Sequence, residues 1–101
     1  MTIKKLSAMP YAQAHVEIDG LCNRYLFSYT TLVAKITSDG WLTCYGLYSR
    51  TTRRHIGAFM REYVKYPNGE PGSYHDAERC YKNNYRFNVE TGEIEFLSED
   101  P

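Results

Sequence analysis

No apolar run in this 101-residue chain approaches the roughly 20 residues that a membrane-spanning helix needs. The N-terminus, Met-Thr-Ile-Lys-Lys-Leu, lacks the apolar core of a secretory signal. Cysteine is scarce and odd in number, and Cys22, Cys44 and Cys80 share no C-x-x-C spacing. They point to reduced thiols in a cytosol and away from a disulfide framework. An excess of either charge is missing as well, with 12 Lys and Arg against 12 Asp and Glu. That balance argues against a stand-alone DNA-binding domain, which is usually strongly basic.

Signatures of chemistry are equally thin. His15, His55, His75 and the three cysteines show none of the short paired spacings of structural zinc sites. The glycines between Pro67 and Gly72 are not followed by Gly-Lys-Ser/Thr, which excludes a phosphate loop. No nucleophile elbow or cysteine signature surrounds Cys44 or Cys80, and no two carboxylates stand out as acid and base. The hydroxyls of Ser28-Tyr29-Thr30-Thr31 suit a strand end and a turn. The expectation is a protein with no catalytic residues, no metal and no cofactor.

What is present is tyrosine, ten residues of it, and one segment that sorts two chemistries. Coiled at 100° per residue, residues 49–66 place Thr52, Ile56, Phe59, Met60 and Tyr63 on one side as a core-facing stripe. Arg50, Arg54, Gly57, Arg61 and Lys65 fall on the other as a cationic ridge with a gap at the glycine. His55 lies at the border of the stripe, as a packed and hydrogen-bonded side chain. Ser49 or Thr51 supplies the N-cap, and the helix stops before Pro67, because the residue preceding proline avoids the α region. Arginines near a helix N-terminus oppose the macrodipole, at about 0.3–1 kcal/mol each. Residues 1–66 carry nine Lys and Arg against four Asp and Glu, whereas residues 67–101 carry three against eight. Two readings stay open: the acidic third neutralises the helix, or the helix serves an acidic partner.

Ahead of this helix the pattern alternates in the β manner. Strands are expected over 14–18, 22–29, 31–37 and 41–47, punctuated by Asp19-Gly20 and Ser38-Asp39-Gly40. Gly46 marks a bulge or a close backbone approach. Behind it, a loop over about 67–75 leads to a short polar helix over 76–83, a hairpin of 85–89 with 93–97, and a frayed acidic end at 98–101. The chain reads as one α+β domain over residues 1–101, an antiparallel sheet of four or more strands with one main amphipathic helix packed across it, plus a short C-terminal helix and hairpin.

Tyrosine and arginine are the residues most enriched at contact hot spots. Arg50, Arg53, Arg54, Arg61, Lys65 and Tyr48 are therefore the expected partner-binding residues. Nucleic-acid binding by the basic helix is the alternative, in which a sheet face bearing Tyr25, Phe27, Tyr29, Trp41 and Tyr45 stacks exposed bases, some of these rings also filling the core.

The string Tyr25-Leu-Phe-Ser-Tyr-Thr-Thr-Leu-Val-Ala34, with Leu47-Tyr-Ser-Arg-Thr-Thr-Arg-Arg-His-Ile56 and Phe59, carries a Ser-Tyr-x-Thr … Tyr-Ser-x-Thr-Thr-x-x-His-Ile pattern. Over residues 14–66 it resembles a family of small uncharacterised accessory proteins of phages, plasmids and integrative elements of Gram-positive and gut bacteria. The resemblance implies a setting, the cytoplasm of a bacterial host, and no residue roles. Small inert proteins in that setting are often inhibitors of host defence, anti-CRISPR proteins among them, or regulators of the element. The expected partner is a host protein or ribonucleoprotein complex, with nucleic acid as the alternative, no membrane, and an oligomeric state that includes the homodimer.

Overall fold

The computed structural model describes residues 1–97, so the acidic end expected at 98–101 lies outside the described residues. One antiparallel sheet contains β1 (Thr2–Lys4), β2 (Ala14–Ile18), β3 (Arg24–Ser28), β4 (Thr31–Ile36), β5 (Trp41–Cys44), β6 (Tyr85–Asn88) and β7 (Ile94–Phe96). Each strand pairs with the next in the chain. Helices α1 (Arg50–Tyr63) and α2 (Tyr74–Asn83) both occupy the connection between β5 and β6, and both pack on the same face of the sheet.

Strand alternation decides what that face offers. Ala14 and Val16 of β2, Leu26 of β3, Ile36 of β4 and Leu42 and Cys44 of β5 point inward and are buried. A register shift between Leu26 and Phe27 turns both Val33 and Ala34 inward, so β4 contributes three apolar side chains to the core. Onto this surface α1 lays Thr52, Ile56, Phe59 and Met60, all buried, with Tyr63 half-buried at the edge. The stripe expected from the helical period is the stripe that packs. Ser49 is the N-cap; its hydroxyl accepts from the Thr52 N–H at 3.2 Å.

Several boundaries differ from expectation. The sheet has an extra strand, β1, whose residues are all exposed and leave no alternation of hydropathy to read. The strand expected over 41–47 stops at Cys44, and Gly46 lies beyond it. No bulge forms at Gly46, but a close approach does: a Cβ there would meet the Tyr48 ring at 2.4 Å. Helix α2 begins at Tyr74, two residues earlier than expected, because Ser73 and Asp76 form a capping box. Lys65 is not helical at all. Val64 turns extended and ends α1, and Lys65 pairs with Pro71 in an isolated bridge.

The opposite face of the sheet is covered by neither helix. Tyr25, Phe27 and Trp41, each half-buried, stand on it beside the exposed Tyr45, so the expectation that some of these rings fill the core is corrected. Two already carry a cation: the Arg86 guanidinium lies 4.2 Å from the Trp41 ring centre and Lys35 Nζ 5.5 Å from that of Tyr25. The Phe27 ring is stacked on His15, with centroids 5.0 Å apart. Among the described residues no helix is long and apolar enough to cross a membrane.

Candidate functional site

The outer side of α1 is a floor between walls. Arg50, Arg53, Arg54 and Arg61 line a concavity of ≈ 500 Å³ together with Gly57, Ala8, Met9 and Tyr74. One wall comes from the segment joining β1 to β2, pinned to the helix where the Ser7 N–H and hydroxyl donate to the Glu62 carboxylate at 2.8 and 2.9 Å. Tyr74, in the first turn of α2, provides the other. Gly57 lies at the bottom of the floor, where an added Cβ would make only ordinary contacts, 3.5 Å from Arg61 Nη1 and 3.6 Å from Tyr74 Cβ.

The electrostatics of this cleft are one-sided. Among the described residues the ion pairs engage His15, His75, Arg79, Lys82 and Arg86 and none of the four cleft arginines. Glu62, the acidic residue of α1, is already held by Ser7. The first turn of α1 contains no acidic residue. No described carboxylate forms an ion pair with these guanidinium groups, and the positive end of the macrodipole adds to their charge. Burial, and after it Glu78, raises the Tyr74 hydroxyl above its ordinary range, with Arg53 drawing it partly back. Always charged and able to donate in a planar fork, arginine matches carboxylate and phosphate alike.

Four of the six expected partner residues, Arg50, Arg53, Arg54 and Arg61, are thus brought together in one cleft. Lys65 stands beyond the end of the helix and Tyr48 ahead of its N-cap, so neither lines it. Sequence reasoning missed Ala8, Met9 and Tyr74. Ala8 and Met9 reach the cleft next to the Ser7–Glu62 contact, whose partners are 55 residues apart in the chain, and Tyr74 by the return of the chain to Gly57; no local pattern announces such contacts.

Beneath the cleft, the hydroxyls of the Ser-Tyr and Tyr-Ser-x-Thr-Thr-x-x-His segments converge. Ser28 Oγ lies 2.9 Å from His55 Nδ1 and 3.1 Å from Thr52 Oγ1, and the Ser49 hydroxyl donates to Thr52 Oγ1 at 3.3 Å. This network ties the first turns of α1 to β3. Ser28 and His55 are 2% and 1% exposed, which closes the pair to a substrate. Thr52 was legible as part of the core stripe and Ser28 only as one of a hydroxyl cluster at a strand end; their meeting was not.

Burial, and secondarily the Arg54 charge, lowers the His55 pKa from its usual 6.5. The unfolded chain therefore binds a proton more readily than the folded one. Stability is fully present above about pH 6.5 and is lost as pH falls through the lowered value. We expect the urea midpoint to drop between about pH 6.5 and 5, ahead of the carboxylate range. The drop should be smaller in His55→Gln; an identical pH profile for that variant would remove His55 as the cause.

Two tyrosines beside this end of α1 hold unusual backbone. Tyr29 has φ 59° and Tyr48 φ 47°, the left-handed region that bulky side chains avoid. Both are exposed, at 55% and 63%. The Tyr29 ring lies 6.1 Å from the His55 ring, and Tyr48 immediately precedes the N-cap. Buried Cys44 and Cys80 have thiols pushed up to about 11 and about 12 by desolvation, and Cys22 is exposed; all three are free. Among the described residues no three His, Cys, Asp or Glu side chains are placed to share a metal ion.

No curated protein and no solved structure matches the chain. Residues 4–79, which hold both walls of the cleft, the arginine floor and the hydroxyl network, match the family of unknown function DUF8033, and the chain belongs to that family.

Proposed function

We propose that this protein is a non-enzymatic binding protein that grips an anionic partner in the arginine cleft. In the mobile-element setting that the sequence resemblance implies, the partner is a host defence ribonucleoprotein, blocked by occupation of its surface in the manner of an anti-CRISPR protein, inside the bacterial cytoplasm. The observation that carries this reading is that Arg50, Arg53, Arg54 and Arg61 share one concavity and pair with no carboxylate among the described residues. Arginines that served folding alone would gain by pairing with acidic residues, of which this chain has 12. Left unpaired and walled in, they gain by receiving an anion from outside.

The test is capture of a CRISPR effector complex from a bacterial lysate on immobilised protein. Wild type is expected to retain the complex. Arg54→Glu combined with Arg61→Glu is expected to weaken retention by at least about a hundredfold, because like charge then faces the anion. Both side chains are exposed, so the circular dichroism and melting temperature of the variant should match wild type. Equal retention by wild type and the double variant would sink the proposal.

A further inference from the structure

The cleft runs along α1 from Arg50 to Arg61, the two strained tyrosines stand near the N-terminal part of that helix, and together they specify the anion more closely. This step rests on the reading of the cleft just given. We infer that the direct ligand is single-stranded nucleic acid, with its phosphates on the cleft arginines and unpaired bases stacked on Tyr29 and Tyr48.

Three observations carry it. First, the anion must enter a trough. Arg50 and Arg61 are separated by eleven residues of helix, about 16 Å at roughly 1.5 Å per residue. The groove between them is lined by Met9 and Tyr74 as well. A thin chain with a charge on every unit can thread that trough.

Second, the tyrosines stay exposed at a conformational cost. A non-glycine residue at positive φ is disfavoured by roughly 1–3 kcal/mol, and glycine at either position would relieve it. The exposed Tyr48 instead stands just ahead of the Ser49 N-cap and Arg50, and the exposed Tyr29 ring lies 6.1 Å from the ring of His55 in α1. Tyr48 is held there because Gly46 has no Cβ to displace its ring.

Third, the rings suit unpaired bases. An exposed tyrosine face stacks a base of any sequence once that base is out of a helix. The pairing of a cationic groove with flanking aromatic faces is what single strands require, and paired bases have no free face to offer. The sheet's opposite face lacks this combination, since Trp41 and Tyr25 are already covered by Arg86 and Lys35.

The experiment is fluorescence anisotropy of the whole protein with labelled oligo-uridine of about 12 nucleotides, within the site sizes single-strand binders use. A duplex of equal length and polyglutamate serve as competitors. We expect oligo-uridine to bind, with salt dependence, and to resist both competitors. Tyr29→Ala and Tyr48→Ala should each weaken binding about tenfold and leave the salt slope unchanged. Tyr29→Phe and Tyr48→Phe, which keep the ring, should bind as wild type. Arg54→Gln with Arg61→Gln should reduce the salt slope by roughly 1.4, two phosphates' worth for a single strand.

Polyglutamate or duplex bound as well as oligo-uridine overturns the inference, as does an alanine variant within twofold of wild type. If oligo-uridine fails to bind while the effector complex is still captured through Arg54 and Arg61, this inference falls and the broader proposal stands.

Discussion

Phe59→Ala is expected to destabilise the protein by about 3–5 kcal/mol, the range for emptying a buried phenylalanine site. Phe59 is fully buried at the centre of the α1 stripe, between Ile56 and Met60, with its ring 5.3 Å from that of Tyr63. The surrounding surface cannot collapse into the gap easily. On the sheet side it meets β3 and β4, whose backbone is locked in the ladder, and β4 already carries an inserted residue. A domain of this size has only about 5–15 kcal/mol in total. Each kcal/mol shifts the melting temperature of such a domain by roughly 4–8 °C, so a fall of at least about 12 °C is expected. Thermal and urea unfolding check it, with an unchanged urea slope showing that stability alone has moved. A loss below about 1 kcal/mol would mean that α1 is not pressed onto the sheet, and the cleft on its far side would lose its support.

That dependence explains how far the sequence could be read. The two faces of α1 were legible because a 3.6-residue period separates them whatever the helix packs against, and Phe59 and Arg54 landed on the sides assigned to them. Strand alternation was legible too, but it says only that two faces differ. Which face the helices cover is a tertiary fact, and Trp41, Tyr25 and Phe27 lie on the uncovered one. Large rings look like core residues in a sequence; here they are half-wet and partly capped by cations. The end of α1 was misread at Lys65 because the sequence offered only Pro67 as a stop. The actual stop is a contact: the Gly72 N–H donates to the Val64 carbonyl at 2.9 Å and draws the chain back on itself two residues earlier. The same return places Tyr74 beside Gly57 and turns a cationic ridge into a cleft.

Gly72→Val tests that return and is expected to cost about 2–3 kcal/mol, as overpacking does where neighbours cannot yield. A Cβ on Gly72 would stand 2.7 Å from Val64 Cβ, 2.8 Å from Val64 Cγ1 and 3.0 Å from the Met60 carbonyl oxygen. Val64 is 2% exposed and has nowhere to turn. The Met60 carbonyl is main chain, and it already accepts the Val64 N–H at 3.0 Å as the helix cap. The valine can therefore be seated only by moving the 64–73 segment outward, which lengthens the Gly72–Val64 hydrogen bond and carries Ser73 and Tyr74 with it. Stability and ligand binding should fall together, although no arginine has changed. Gly57→Ala provides the contrast. Its Cβ meets only ordinary contacts at 3.5 and 3.6 Å, and alanine is favoured over glycine inside a helix by roughly 0.5–1 kcal/mol. That variant should melt higher and keep its ligand. If Gly72→Val melts like wild type yet loses binding, Tyr74 moves independently of the Val64 brace; if it loses stability but binds normally in the folded state, Tyr74 is not a wall the ligand uses.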